Sequence, residues 1–234
     1  MEPVLRRTER LLAGIDHRAR MARATLQAMP HRDARTPVAG HVRTANPRMK
    51  TPALLLAPKS ALTESLAILQ HIASRGIDTG LGFRQGTLEF DRQAETLSYL
   101  TTDFFASFAP LWKLYETRDL PEDLRRRMRA EAVAQVNVEL GHVERMLADR
   151  TWLLGGATPT VADAYLFAVG RWAAYHEVSE LATAYPATFA HAERMKDQPA
   201  VRFALGIEAN EPVHGGAGFL GHVSLATLQE SGVL

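Results

Sequence analysis

Apolar residues recur at steps of three and four through the second half of the chain, the spacing of helices with one buried face. Within 88–116 these positions are Leu97, Leu100, Phe104, Phe108 and Leu111. Within 122–149 they are Val133, Val136, Leu140, Val143 and Leu147. Within 161–175 they are Val161, Tyr165, Ala168, Val169 and Trp172. The pattern predicts three long helices, with shorter ones over about 187–196 and 199–205.

The segment before these helices has a different pattern. The short apolar run 51–56 lies between prolines and predicts a strand, which 60–62 could extend by returning antiparallel. A helix is then expected, with Thr63 as its N-cap, an apolar stripe through Leu66, Ile68, Leu69 and Ile72, and its end at Gly76. The glycine-spaced residues 75–87 are interpreted as a linker.

This order of elements predicts an α+β region followed by an all-α bundle. We assign 1–75 to the first domain, 76–87 to the linker, 88–208 to the helical domain and 209–234 to a loosely docked extension. Residues 1–45 give no clear strand, and Pro30 and Pro37 interrupt their pattern.

The composition of the chain excludes several kinds of chemistry and location. The 234 residues include no cysteine, which excludes disulfides, thiolate catalysis and cysteine metal sites and fits a reducing cytosol. No apolar run is long enough to cross a bilayer, and the first twenty residues lack the apolar core of a signal peptide. The nine histidines show no metal-ligand spacing, and His71 is expected on a helix surface. We therefore expect a cytoplasmic protein without metal or membrane partner.

Charge is unevenly distributed, although the net charge is only +1. Residues 1–50 hold eleven basic and four acidic side chains and no aromatic ones. Nucleic-acid binding by this segment would depend on charge alone, so we expect no nucleic-acid partner. The run Arg125–Arg127 is expected on a solvated helix face. Gly216, Gly218 and Gly221 fit GxGxxG, but no strand precedes them, so dinucleotide binding is not expected.

The sharpest local motif is Thr160-Val161-Ala162-Asp163, a capping box with Asp in place of Glu. By itself it indicates only that a helix begins. Its surroundings, LLGGATPTVADAYLFAVGRWA, resemble the buried helix of the C-terminal domain of glutathione transferases. In that family the motif serves folding, so Thr160 and Asp163 are predicted to be structural residues.

A second segment, NPRMKTPALLLAPKSALTESLAILQHIA, resembles the second half of the thioredoxin-like domain of the same family. The resemblance implies that Pro52 follows a cis bond and that the Thr51 backbone pairs with the cysteinyl part of glutathione. It implies that Glu64 and Ser65, in the first turn of a helix, hold the γ-glutamyl end. From these residues alone, an acidic helix start without a ligand is the better interpretation of Glu64 and Ser65. Pro52 upstream and the capping box downstream favour the ligand interpretation. The resemblance spans about 46–207 and is nearest to the bacterial beta-type enzymes.

Three departures from the beta-type pattern affect the expected activity. The family places Cys, Tyr or Ser at the first strand, whereas this chain has none of them before Ser60, so the catalytic residue is unknown. Phe105 stands in place of a histidine and Ser98 in place of an asparagine. The resemblance puts both near the second substrate, and simple helix packing is the alternative for each. The resemblance also implies a strand–helix–strand segment at the start of the first domain, which residues 1–45 do not match. Either residues 1–45 replace that segment, or the coding frame differs upstream of about residue 45.

The resemblance implies a homodimer that conjugates glutathione, as a substrate, to hydrophobic electrophiles in detoxification. The alternative is a non-catalytic protein of the same fold that binds ligands or other proteins. Because no residue is identified to stabilise the glutathione thiolate, we expect conjugation by this chain to be weak or absent.

Overall fold

The computed structural model describes residues 46–48, 50–117, 119–209, 211 and 225–232. They belong to two compact units, one within 1–82 and 197–234 and the other over 83–196. The predicted fold class is confirmed: a small sheet and helix precede a unit built only from helices. The predictions for residues 1–45 lie outside the described residues, as do the three glycines of the GxGxxG pattern.

Among the described residues of the first unit, the first element is a β-hairpin of β1 (Ala53–Ala57) and β2 (Ser60–Thr63). The strands are antiparallel, and the register pairs Ala53 with Thr63 and Ala57 with Ser60. The predicted strand is confirmed but begins after Pro52, which has no N–H to donate to a ladder. Lys59 in the two-residue turn has a positive φ of 58°.

Helix α1 (Ser65–Arg75) follows the hairpin directly. Ile68, Leu69, Ile72 and Ala73 are buried along one face, as the predicted stripe requires, while Leu66 is only half-buried. The prediction that Thr63 caps this helix is wrong, because Thr63 pairs with Ala53 in the sheet and Glu64 occupies the N-cap position.

Glycines close the chain tightly after α1. The N–H of Gly76 donates to the Ala73 carbonyl, and one 3₁₀ turn follows at Ile77–Thr79. A Cβ on Gly76 would lie 2.5 Å from the Leu81 side chain, and one on Gly82 would lie 2.5 Å from the Ala73 Cβ. Both ends of this short segment therefore need glycine for close packing, which the linker interpretation did not anticipate.

The predicted continuous helix over 88–116 is divided into shorter pieces. It consists of α2 (Leu88–Tyr99), a π-helical turn (Leu100–Phe104), α3 (Phe105–Ser107) and α4 (Ala109–Glu116). All five predicted apolar positions are buried. The hydroxyls of Thr101 and Thr102 donate to carbonyls of the preceding turn, at 2.8 Å to Leu97 and 2.9 Å to Ser98. Such side-chain bonds compete with the helical ladder, which is consistent with its local widening.

Helix α5 (Glu122–Leu147) is the longest in the part of the chain that the structure describes. Acidic Glu122 and Asp123 occupy its first turn, as predicted. Four of its five predicted apolar positions are buried, and Val133 is half-buried. The expectation that Arg125 is solvated is wrong. Its guanidinium donates to the Leu114 carbonyl at 2.9 Å and the Thr117 carbonyl at 2.6 Å, at the end of α4.

Helix α6 (Val161–Tyr175) lies at the centre of the second unit. Its residues 161–169 are all buried, so this part of the helix is enclosed on every side, beyond the single predicted face. The second unit also contains α7 (Leu181–Ala184) and α8 (Pro186–Lys196). Helices α9 (Pro199–Glu208) and α10 (Leu225–Glu230) belong to the first unit. In the part of the chain that the structure describes, no helix is both long and apolar enough to cross a membrane.

Candidate functional site

The hairpin register brings two predicted site segments to one end of the sheet. Ala53 pairs with Thr63, so the residues just before β1 and just after β2 leave the sheet side by side. These residues are Thr51 and Pro52 on one side and Glu64 and Ser65 on the other. The Thr51–Pro52 bond is cis, as predicted, with Pro52 buried and Thr51 half-buried.

Glu64 has an unusual backbone for a side chain of its size. Its φ of 67° and ψ of 124° lie in a region that L-residues rarely adopt. It stands at the N-cap, one position before the first helical turn in which the sequence placed it, and its side chain does not cap the helix. A non-glycine residue held in such a conformation is costly and is often found at ligand sites.

Arg48 forms an ion pair with the Glu64 carboxylate, and the sequence analysis did not predict this contact. The Arg48 guanidinium donates to Glu64 Oε1 at 2.7 Å, with both side chains more than half exposed. The buried Asn46 holds this loop: its side-chain oxygen accepts from the Arg48 N–H at 3.0 Å, and its amide donates to the Lys50 carbonyl at 2.6 Å. The Asn-Pro pair was a signal of this turn, because Asn often bonds a backbone group two residues on.

Ser65 is the first helical residue of α1. Helix geometry leaves the N–H groups of Ser65, Leu66 and Ala67 without intrahelical acceptors. Together with the helix dipole, these donors suit an anionic group, and no acidic residue occupies this first turn. The end of the hairpin therefore presents a carboxylate, at Glu64, beside a set of donors.

Ser98 and Phe105, the predicted second-substrate residues, flank the π-helical turn in the second unit. Both are exposed, Phe105 by 42%. The centre of the Phe105 ring lies 5.3 Å from that of the buried Trp172 ring. One part of the Phe105 ring is therefore packed against the protein, and the rest is in solvent. π-helical turns are common at functional sites, and this one had no sequence signal beyond the adjacent Thr101 and Thr102.

The phenol of Tyr99, next to Ser98, is engaged elsewhere. Its hydroxyl donates to Glu139 Oε2 at 2.9 Å, and burial, reinforced by this bond, raises its pKa well above the ordinary range. It therefore stays a neutral donor and is not available as a phenolate. His71, expected on a helix surface, accepts from the Arg75 guanidinium at 3.2 Å, and partial burial followed by the Arg75 charge lowers its pKa.

The Thr160–Asp163 capping box is confirmed, and it is part of a larger buried cluster. Asp163 Oδ2 accepts from the Thr160 N–H at 2.8 Å and from its hydroxyl at 3.0 Å. Asp163 Oδ1 accepts from the Leu153 N–H at 2.8 Å and lies 3.0 Å from His191 Nε2. Sequence reasoning missed His191 because it lies on another helix, and the cluster is closed off from solvent.

Metal chemistry has no support in the described residues, which bring together no three His, Cys, Asp or Glu side chains that could hold an ion. The absence of a metal remains a prediction for the chain as a whole.

Comparisons with known proteins agree with this geometry. Residues 111–199 match the family model of the glutathione S-transferase C-terminal domain. Glutathione S-transferase GstA of Escherichia coli O157:H7 is 34% identical over 163 residues, covering 70% of this chain and 76% of the relative. A bacterial beta-class glutathione S-transferase from Sphingomonas chungbukensis superposes with a TM-score of 0.70 at 28% identity, covering 89% of this chain and 96% of that one.

A sphingomonad glutathione S-transferase solved in complex with glutathione superposes with a TM-score of 0.65 at 28% identity, over 88% of this chain and 95% of that one. The identity with GstA is 34% across more than two-thirds of both chains, which establishes that the two proteins are homologous. The matching fold and the cis bond before Pro52 agree with this conclusion. The chain belongs to the glutathione S-transferase family.

Proposed function

We propose that this protein binds glutathione at the end of the β1–β2 hairpin and conjugates it, through the thiol sulfur, to a hydrophobic electrophile. The observation that carries the proposal is the register that places Thr51 and Pro52 beside Glu64 and Ser65. The similar sphingomonad protein was solved with glutathione bound, which supports the same ligand class here.

Both charged groups of the γ-glutamyl residue, its ammonium and its α-carboxylate, have a chemical partner in this arrangement. Arg48 engages Glu64 Oε1, so Oε2 can accept the ligand ammonium while the carboxylate is held in place. The ligand carboxylate fits the Ser65 hydroxyl and the free N–H groups at the start of α1. The Thr51 backbone is assigned to the cysteinyl part, and Ser98 with Phe105 to the electrophile.

Glutathione affinity tests this assignment. Glu64→Gln removes the charge but retains the shape, so we expect the dissociation constant, measured by titration calorimetry, to rise about tenfold or more. Ser65→Ala should weaken binding less, because backbone donors remain. Glu89→Gln, on the exposed first turn of α2, is the matched control and should bind as the parent does. Unchanged affinity in Glu64→Gln would refute the site.

Turnover separates the proposal from its alternative. The first 59 residues contain no Cys, Tyr or Ser to stabilise a thiolate, which favours a ligand-binding protein that does not catalyse. Loss of one aimed donor commonly costs about a hundredfold in rate, so we expect slow conjugation of glutathione to an aryl halide. Binding without any turnover would support the non-catalytic alternative, and a rate typical of the family would show that another group activates the thiol.

Location and assembly belong to the same proposal. A cytoplasmic homodimer active in detoxification fits the family, the absence of cysteine and the exposed apolar side chains of the second unit, such as Tyr115 and Val138.

A further inference from the structure

A cavity of about 490 Å³ opens in the second unit, between α6 and α8 and beside the loop that joins α6 to α7. This volume is within the range of sites for small organic ligands. Its apolar wall includes Leu166, Phe167, Ala174, Phe189 and Ala192. None of the residues proposed to contact glutathione or the electrophile lines it.

Gly170 lies in the interior of α6, on the wall of this cavity. A Cβ built there would meet no atom within 4 Å, so packing against the rest of the protein does not require glycine. Glycine weakens a helix interior relative to alanine. The missing side chain therefore has one structural result, which is space in the cavity.

At the end of the same helix, Glu177 occupies a position where glycine is usual. Its N–H donates to the Ala174 carbonyl at 3.2 Å, and the Val178 N–H donates to the Ala173 carbonyl at 2.9 Å. This paired closure usually has glycine at the first of the two positions, because the backbone there is left-handed. Glu177 has a φ of 52°, so a carboxylate is kept at the cavity wall against backbone preference.

The charges around the opening are not balanced. Lys196 pairs with Glu193 at 2.6 Å, and the Arg171 guanidinium carbon lies 6.0 Å from the centre of the Phe167 ring. Glu177 and Glu180 are both exposed at the loop side, and with Glu193 they give the lining three carboxylates against the two cations Arg171 and Lys196. Outside the lining, the Arg129 guanidinium lies 3.4 Å from the Glu177 backbone carbonyl. Phe189, 39% exposed, adds an aromatic face to the same opening.

We propose that this cavity is a second ligand site, for a small aromatic amine. The apolar ring lies along Phe167, Gly170 and Phe189, and the ammonium group pairs with Glu177 or Glu180. Gly170 and Glu177 each run against local backbone preference, and each supplies what such a ligand needs: room for a ring and a negative charge beside it.

Three probes that share a 1-naphthylmethyl group test the proposal on the full chain without glutathione: an amine (1-naphthylmethylamine), an alcohol (1-naphthylmethanol) and a carboxylate (1-naphthaleneacetate). By equilibrium dialysis at neutral pH we expect the amine to bind most tightly, the alcohol next and the carboxylate least. Glu177→Gln combined with Glu180→Gln should weaken the amine about fivefold, to the level of the alcohol, whose own affinity stays unchanged. Tightest binding of the carboxylate, or equal loss for amine and alcohol, would overturn the charge assignment.

A filling substitution tests the cavity itself. Gly170→Leu should abolish binding of all three probes, while the thermal midpoint stays equal to the parent's or rises, because the added side chain has space. Gly141→Leu, in α5 and outside the cavity, is the matched control: its Cβ would meet only the Arg145 guanidinium, at 3.7 Å. Full amine binding by a folded Gly170→Leu protein, or no binding of any probe to the parent, would refute the site. Excess glutathione should not displace the amine, which keeps this result independent of the glutathione assignment.

Discussion

Asp163 has no exposed surface, and its two carboxylate oxygens are surrounded by donors from three parts of the second unit. A buried carboxylate is costly unless its oxygens are paired, and each of them here has two partners. The residue therefore does more than begin α6. It joins the turn at Leu153 to the start of α6 and to His191 on α8.

Removing the Asp163 charge takes away an acceptor that three groups share. These groups are the Leu153 N–H, the Thr160 cap and His191. Asp163→Asn should lower the free energy of unfolding by about 3 kcal/mol, because buried donors are left with an amide that cannot accept from all of them. Urea denaturation measures this, with Asp149→Asn at an exposed turn as the control. A denaturation midpoint equal to the parent's would contradict the role of the cluster.

His176, at the end of α6, gives a prediction about pH. It is buried, its ring lies 4.4 Å from that of Trp112, and its Nε2 has no hydrogen-bond partner among the described residues. Burial first, and the Arg129 charge second, lower the His176 pKa to about 4. Since the folded pKa is below the unfolded value of about 6.5, the unfolded state binds the proton more readily.

The stability associated with neutral His176 is therefore fully present above about pH 6.5 and is lost as the pH falls toward 4. His176→Phe retains an aromatic ring and removes this titration, so its thermal midpoint should fall less than the parent's between pH 7 and pH 4.5. Parallel melting curves at both pH values measure the difference. An identical fall in the two proteins would show that other groups account for the pH dependence.

At the scale of the helices, side chains from one element satisfy the free carbonyls at the end of another. Arg125 of α5 donates to the carbonyls of Leu114 and Thr117 at the end of α4. Arg129, one turn later, donates to the His176 carbonyl at 2.7 Å, at the end of α6. Cationic donors at helix C-termini satisfy orphan carbonyls and complement the helix dipole, so these arginines fix how α5 packs.

Arg125→Ala should lower the free energy of unfolding by about 1–2 kcal/mol, because two part-buried carbonyls lose a charged donor. Arg126→Ala is the matched control, since Arg126 is exposed on the same turn and should be close to neutral. Chemical denaturation of both variants measures the contrast. Equal loss in the two would mean that net charge, and not the contact, is responsible.

At the scale of the whole molecule, the second unit leaves several large apolar side chains in solvent. Val138 is 62% exposed, Tyr115 53% and Phe105 42%. Isolated exposed apolar residues are common on protein surfaces. A homodimer, which the family resemblance implies, would cover some of these side chains, so they are the first residues to test as its interface.

Sedimentation at micromolar concentration should therefore give a species of about twice the 25.8 kDa chain mass. A charged substitution in the interface shifts such an equilibrium, so Val138→Arg and Tyr115→Arg can then be compared to find which face is covered. A single species at the chain mass across the micromolar range would count against the dimer.

The sequence by itself determined the features that depend on neighbours along the chain. The apolar stripe from Leu97 to Leu111 is buried, and the Thr160–Asp163 box caps α6, because helical periodicity and capping bonds involve residues within a turn or two. The hairpin was also predictable, from a short apolar run and a two-residue turn. Family resemblance, and not periodicity, supplied the cis bond before Pro52.

The tertiary structure decided what depends on residues far apart in sequence. His191 reaches Asp163 across 28 positions, and Arg129 reaches the His176 carbonyl across 47. Glu64 replaced Thr63 at the N-cap because the strand pairing with Ala53 already used Thr63. The cavity at Gly170 exists only where α6 and α8 face each other, since a missing side chain leaves no periodic trace. Local bonds are encoded locally, whereas pairing and packing between elements are decided only when the chain folds.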